Sequence, residues 1–195
     1  MTSESIPGWS DFVDIYRFIY SIAPPDARFV EIGCCFGGSA AFMGELIRDG
    51  QKKIEFTTVD AFDLSVCEPS IADHVKEECQ FHGQPDWLSL VHHFMAQCGV
   101  TAMVKVAVSD SVALSRQYQD ANLDFVFIDG DHRYAAVRAD IEAWLPKVKP
   151  GGWIGGHDYD RPDVERAARE CFDRPQVLSI PPRSWLVQLP VVSPG

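Results

Sequence analysis

The chain has 195 residues, 46% of them hydrophobic and 23% charged, with a net charge of −11. That length accommodates one domain with its own core, and the acidic balance opposes a nucleic-acid partner, which needs a basic footprint. No run reaches the roughly 18 continuous apolar residues of a membrane span.

Residues 1–8 carry neither a basic start nor a long apolar stretch, so no signal peptide is read there. The six cysteines lack metal-finger spacing, and the adjacent Cys34 and Cys35 are poorly placed for a mutual disulfide. Reduced thiols and a cytoplasmic setting are expected, with no membrane partner.

Taken in chain order, residues 9–21 place Trp9, Phe12, Val13, Tyr16 and Ile19 at helical spacing, and Pro24-Pro25 ends that helix. Residues 1–27 are therefore read as an N-terminal helical segment. A strand from Arg28 to Ile32 enters a glycine turn, followed by a helix from about Ser39 to Ile47 and a strand from Ile54 to Val59 that finishes at Asp60. Residues 61–100 read as two helices, about 70–80 and 86–98. The segment is longer than a plain crossover requires, so part of it is expected over the site as a lid.

A strand at 103–108, a helix near 111–119 and a strand from Leu123 to Ile128 follow. In the helix at 133–145, Tyr134, Val137, Ile141, Trp144 and Leu145 share one face, and Pro146 ends it. A strand at 152–156, a helix at 162–172 and strands near 176–180 and 184–189 complete the chain. This alternation predicts an α/β fold: a doubly wound, mostly parallel seven-stranded sheet with helices on both faces and an antiparallel C-terminal strand. A single domain is expected over 1–195.

In such a sheet, ligands bind beyond the carboxyl ends of strands where the strand order reverses. The turn Gly33-Cys34-Cys35-Phe36-Gly37-Gly38 lies at the end of the first strand. Its glycines let backbone approach a ligand, and the next helix offers free N–H groups. The G-x-x-x-G-G spacing departs from the G-x-G-x-x-G of dinucleotide binders. Glu31 would repel a pyrophosphate and attract an amino group or positive charge, and Asp60 is placed to accept hydrogen bonds from a ribose diol. Glu31, Gly33, Gly37 and Asp60 in this order favour a nucleoside ligand, and S-adenosylmethionine fits better than NAD because it has no phosphate.

The second half of the site is acidic. Phe127-Ile128-Asp129-Gly130-Asp131-His132 and Gly155-Gly156-His157-Asp158-Tyr159 each follow a run that reads as a buried strand. If those strands are parallel neighbours, Asp129, His132, His157 and Asp158 converge at one sheet edge. Asp129 and Asp158 offer hard oxygen ligands and His157 a nitrogen ligand for a divalent metal. Mg²⁺ prefers oxygen surroundings, whereas an imidazole admits Mn²⁺, Fe²⁺ or Zn²⁺. The metal would bind a substrate hydroxyl and lower its pKa. His132, in the turn after Asp129, is a candidate general base. Two structural alternatives stand beside this reading: Asp131 or His132 as a cap of the helix starting near 133, and His157 as a group supporting the ligands.

These residues resemble the class I S-adenosylmethionine-dependent methyltransferases over about residues 28–160. E-I-G-x-x-x-G-x-S at 31–39 is similar to the cofactor motif of catechol O-methyltransferase and its relatives. D-G-D-H-x-Y-x-x-V-x-x-D-I-x-x-W at 129–144, continuing through P-G-G-x-x-x-G-H-D-Y at 150–159, is similar to methyltransferases of the macrocin and mycinamicin type, which act on sugar hydroxyls of natural products.

The resemblance implies a metal at Asp129, His157 and Asp158, and a base at His132, where the catechol enzymes place a lysine and the mycinamicin-type enzyme a histidine. It implies cofactor contacts from Glu31, Gly33, Cys35, Gly37, Ser39, Asp60, Ala61, Ser109, Asp110 and Asp129. Position 157 is usually acidic in these relatives, which weighs against Mg²⁺ in particular.

The expected activity is methyl transfer from S-adenosylmethionine to a hydroxyl of a small molecule, a sugar or phenol, with a divalent metal, Mg²⁺ or Mn²⁺ first and Fe²⁺ or Zn²⁺ as alternatives. The small-molecule acceptor is the expected partner, with no nucleic acid, and a homodimer is left open. The alternatives are a metal-independent transferase acting on oxygen or nitrogen, an NAD(P)-dependent redox enzyme, and a non-catalytic nucleoside-binding module.

Overall fold

Residues Arg28–Ile32 (β1) and Leu123–Ile128 (β4) are almost continuously apolar and buried, the pattern of strands covered on both faces. In the computed structural model, which describes residues 1–8, 10–172, 176–178 and 183–191, these two strands lie side by side at the centre of a seven-stranded sheet. The others are Glu55–Asp60 (β2), Val104–Val108 (β3), Val148–Gly156 (β5), Gln176–Leu178 (β6) and Ser184–Gln188 (β7).

The order is β3-β2-β1-β4-β5-β7-β6. Strands β1 to β5 pair in parallel, and β7 runs antiparallel to both β5 and β6. The chain builds outward from β1 through β2 to β3, then returns to β1's other side with β4. That reversal places a crevice between the ends of β1 and β4.

Helices cover both faces. Val13–Ile22 (α1), Gly38–Asp49 (α2), Pro69–Phe81 (α3) and Trp87–Gln97 (α4) pack on one face; Ser111–Ser115 (α5), Tyr134–Trp144 (α6) and Pro162–Cys171 (α7) pack on the other. Phe12, Ile15, Tyr16 and Ile19 are buried at helical spacing, so α1 presents one apolar stripe to the sheet. Tyr16 meets Phe56, Phe125 and Phe127 edge-on at 6.4, 6.0 and 5.4 Å, contacts worth about 0.5–1.5 kcal/mol each beyond burial. Trp144 and Trp185 are fully buried on the opposite face.

Three boundaries differ from the expected ones. Helix α1 begins at Val13 rather than near 9, with residues 11–12 forming a turn before it. Helix α5 ends at Ser115 rather than 119, because Gln117 N and Tyr118 N bond back only three residues and tighten the chain into a turn. Strand β5 begins at Val148 rather than 152. Pro150 and Gly151 read as a turn, yet a register shift opposite Leu123 and Phe125 accommodates them inside the strand. Trp9 and the end of the expected strand at 176–180 lie outside the described residues.

Of the segment expected as a lid, α4 is core: Leu90, Val91, Phe94 and Met95 are fully buried. Only residues between Ala61 and Ile71, with Trp87, border the cleft.

The crevice depends on Gly33. Its φ is +91°, and a Cβ there would lie 2.1 Å from the Asp129 carbonyl oxygen. Gly83, with φ +63°, has open space around it. Gly83→Ala is therefore expected to cost about 1–2 kcal/mol from backbone conformation alone. Gly33→Ala should cost at least about 3 kcal/mol, because a backbone clash adds to the conformational cost. Urea unfolding at unchanged m-value measures both, and equal costs would remove the close approach from the account.

Candidate active site

Four hydrogen bonds carry the sheet ladder across the strand ends. Ser109 N donates to Asp60 O (3.0 Å), Gly33 N to Val59 O (2.9 Å), Asp129 N to Ile32 O (2.7 Å) and His157 N to Ile128 O (3.1 Å). They set Ser109, Asp60, Gly33, Asp129 and His157 in one row across β3, β2, β1, β4 and β5. Residues far apart in sequence thus share one rim for purely backbone reasons.

Asp60 fastens the glycine turn to this row. Its Oδ2 accepts from Cys34 N at 2.9 Å and Cys35 N at 3.3 Å, and its Oδ1 accepts from Phe62 N at 3.0 Å. Trp87 adds a second tie, its Nε1 donating to Cys35 O at 2.7 Å. Cys35 and Phe62 are held in the left-handed region at φ 47° and 52°, as is Asp158 at 52°. Non-glycine residues persist there only where their surroundings over-determine them, commonly at functional sites. All six cysteines are free. Burial pushes the Cys34 thiol well up and the Cys35 thiol to about 12, so neither supplies a thiolate near neutral pH.

The acidic half closes around two imidazoles. His132 Nε2 lies 2.8 Å from Asp158 Oδ2. His157 is 8% exposed, its Nδ1 3.4 Å from Asp129 Oδ1 and 3.6 Å from Asp158 Oδ2, with its Nε2 3.0 Å from Asp11 Oδ1. Burial by itself would lower the His157 pKa, but Asp129 and Asp158 overcome it and hold the imidazole at about 10. Burial likewise works to raise Asp158, whereas His132 and His157 keep it far below the usual carboxylate range. Asp129 is pushed up by burial against the pull of His157.

Among the described residues, Asp129, His132 and Asp158 offer ligand atoms within 4.8 Å of one another. Two carboxylates and an imidazole suit a divalent cation of the Mn²⁺, Fe²⁺ or Zn²⁺ type, and Mg²⁺ less well. The sequence-derived set named His157 instead of His132. Both nitrogens of His157 face carboxylates, and Phe12 covers its ring at 4.9 Å, the surroundings of a group that orients Asp129 and Asp158.

Gly33, Cys35, Asp60, Ala61, Ser109, Asp110, Asp129 and His132 line one cleft of about 1250 Å³. That exceeds the roughly 300–1,000 Å³ of a single small-ligand pocket, so it has room for a cofactor and an acceptor together. Asp131 also lines it and accepts from Arg133 N at 2.9 Å, while α6 starts without a side-chain cap from Arg133.

Glu31, Gly37 and Ser39 do not border this cleft. Gly37 precedes α2 at φ +85°, and Ser39 is buried with its hydroxyl donating to Glu31 Oε1 at 2.5 Å. Glu31 is fully buried beneath α1, where the Tyr16 hydroxyl donates to the same oxygen at 2.7 Å. Sequence reasoning passed over four residues that border or brace the cleft. Trp87 and Asp140 were given no site role; Glu68 and Arg161 bridge the cleft at 3.4 Å from segments with no motif.

The sequence pattern of the methyltransferase domain family matches residues 30–159, a span that contains the whole row of strand ends. The chain belongs to the methyltransferase domain family. The match covers two thirds of the chain and agrees with the resemblance read from its motifs.

The chain is 23% identical over 133 residues to the Uncharacterized protein y4gI of Sinorhizobium fredii, a match covering 68% of the chain and 13% of that protein. The chain thus spans about an eighth of the length of that curated relative. Its fold matches the O-methyltransferase NovP with TM-score 0.62 and 18% identity over 92% of this chain and 80% of NovP. It also matches an rRNA methylase from Streptococcus thermophilus, with TM-score 0.59 and 12% identity over 93% of this chain and 98% of that one. No helix among the described residues is long and apolar enough to cross a membrane.

Glu31 generates a pH prediction. Burial raises its pKa from 4.5 to about 7, against the opposing hydroxyls of Ser39 and Tyr16. Between those values the folded carboxyl keeps a proton that the unfolded chain releases. Stability present below pH 4.5 is therefore lost as pH rises toward 7, by an amount on the order of 3 kcal/mol. Glu31→Gln keeps the acceptor oxygen and removes the titration. Urea midpoints across this pH range should decline in both proteins, since the raised Asp140 and Asp129 remain, and the decline should be smaller in the variant by the Glu31 contribution.

Proposed function

We propose that this methyltransferase transfers a methyl group to a hydroxyl of a small molecule, a sugar or a phenol, with a divalent cation held by Asp129 and Asp158 and His132 acting as general base. The observation that carries this reading is the cluster of Asp129, His132 and Asp158 within 4.8 Å, next to the glycine turn at the β1–β4 crevice. Bound S-adenosylmethionine would supply an electrophilic methyl carbon, and a bound cation would supply Lewis acidity toward the acceptor oxygen. Gly33, Asp60 and Ser109 would hold the nucleoside side of the cleft.

Asp158 Oδ2, 2.8 Å from His132 Nε2, orients the imidazole by accepting from that nitrogen, which leaves Nδ1 as the nitrogen that would take up the hydroxyl proton. His157 fixes the two carboxylates. Glu68 and Arg161, paired across the mouth, would limit water access. A small acceptor is favoured over RNA because the cleft carries eight carboxylates (Asp60, Asp63, Glu68, Asp110, Asp129, Asp131, Asp140, Asp163) against two guanidiniums, which repels a phosphate backbone. The likeness of fold to NovP, named as an O-methyltransferase, supports oxygen as the acceptor atom.

Turnover with a panel of sugar and phenolic acceptors tests the proposal. A chelator should abolish activity and Mn²⁺ should restore it. His132→Ala should lower kcat by about 10²–10⁴-fold, the usual worth of a general base, while S-adenosylhomocysteine affinity and Mn²⁺ binding stay near parental levels. Asp158→Asn should lose Mn²⁺ binding. Full activity in chelator would favour the metal-independent alternative, and loss of Mn²⁺ binding in His132→Ala would make His132 a ligand rather than the base.

A further inference from the structure

Helix α6 buries Val137, Asp140, Ile141 and Trp144 on one face. Asp140 is an acid in an apolar stripe and only 5% exposed. Leaving a carboxylate there is costly unless something meets it. Among the described residues it has one hydrogen-bond partner, the hydroxyl of Ser111 at the start of α5, which donates to its Oδ1. Its other oxygen has no protein donor, and the residue's remaining surface faces the cleft, which it lines. Burial, with Asp110 and Asp131 nearby, pushes its pKa up to about 6.

This corner of the cleft has a definite shape. Val112, Ala136 and Ala139 give it small apolar walls, suited to a flat ring. Ser109 and Asp110, beyond the end of β3, lie on the same side, and Asp60 stands at the neighbouring strand end. A planar heterocycle entering from Asp60 would bring its far edge to Asp140. A carboxylate oxygen that lacks a partner selects an edge bearing an N–H donor.

We propose that Asp140, oriented by Ser111, recognises the exocyclic amine of the cofactor's adenine ring. The assignment rests on S-adenosylmethionine being the ligand of the cleft and adds a residue to its recognition.

Isothermal titration of the full chain with S-adenosylhomocysteine and S-inosylhomocysteine, which carries a carbonyl oxygen in place of the amine, tests it. The parent protein should prefer the adenine compound by at least about tenfold, since a site built for a donor is left unpaired by the analogue. In Asp140→Asn the side-chain carbonyl can keep the Ser111 bond while the amide N–H faces the cleft. Its preference should collapse to within about threefold or invert, with affinity for the inosine compound maintained or increased. Ser111→Ala, which leaves Asp140 unoriented, should narrow the preference in the same direction and serves where Asp140→Asn does not fold. Parallel weakening of both compounds, with the preference intact, would overturn the assignment and leave Asp140 a packing residue. Binding of neither compound by the parent protein is a separate outcome that overturns the cofactor reading and the assignment with it.

Discussion

The close approach of the β1, β4 and β5 ends is the constraint on which the site depends. Gly33 admits the Asp129 backbone at a distance that no side chain tolerates. On the other side of β4, a Cβ on Gly156 would lie 2.6 Å from both Ile128 O and Trp185 Nε1. Each glycine lets a strand end move up to its neighbour, and the hydrogen bonds across the row lock the result. The site therefore rests on rigid backbone rather than on loops that must find each other. Its side chains inherit their positions from sheet register.

Electrostatic compensation follows from that placement. Three acids and two imidazoles occupy a largely buried rim, where an unpaired charge would cost several kcal/mol. The two histidines absorb this: His132 faces Asp158, and His157 spans Asp129, Asp158 and Asp11. Asp158, held ionised beside an oriented imidazole, suits both cation binding and the positioning of a base. Glu31 represents the opposite arrangement. It is buried with two hydroxyl donors and no cation, and burial dominates its titration.

The cleft itself joins two unlike halves. The β1–β2–β3 side offers backbone donors and acceptors, small apolar walls and a strapped glycine turn, which suit an uncharged nucleoside held by shape. The β4–β5 side concentrates the ionisable groups. Glu68 and Arg161, the residues just before α3 and α7, pair at the cleft. Asp129 joins the halves: it lines the cleft and belongs to the carboxylate–imidazole cluster.

The α/β sheet was legible in the sequence because its central strands β1 and β4 are largely buried apolar runs and the remaining strands lie between glycine, proline and helical signals. Asp129, His132 and Asp158 were legible as a group because a strand-end acid in a parallel sheet points at the switch point. Local pattern failed where a contact from a distant segment decided the outcome. Glu31 read as a cofactor contact, yet Tyr16 of α1 covers it. His157 read as a ligand, yet Asp11 and Phe12 enclose it. Asp60 read as a ribose acceptor, and both of its oxygens also hold backbone N–H groups of neighbouring loops. Asp140 was hidden in a helix face whose period marks burial but cannot show that α5 leaves one oxygen open to a cleft. The sequence by itself determined element type, the mostly parallel α/β class and the acids at the strand ends, because these follow from periodicity and connection rules. Only the tertiary structure decided which oxygen or nitrogen remained free, because that depends on what packs against it.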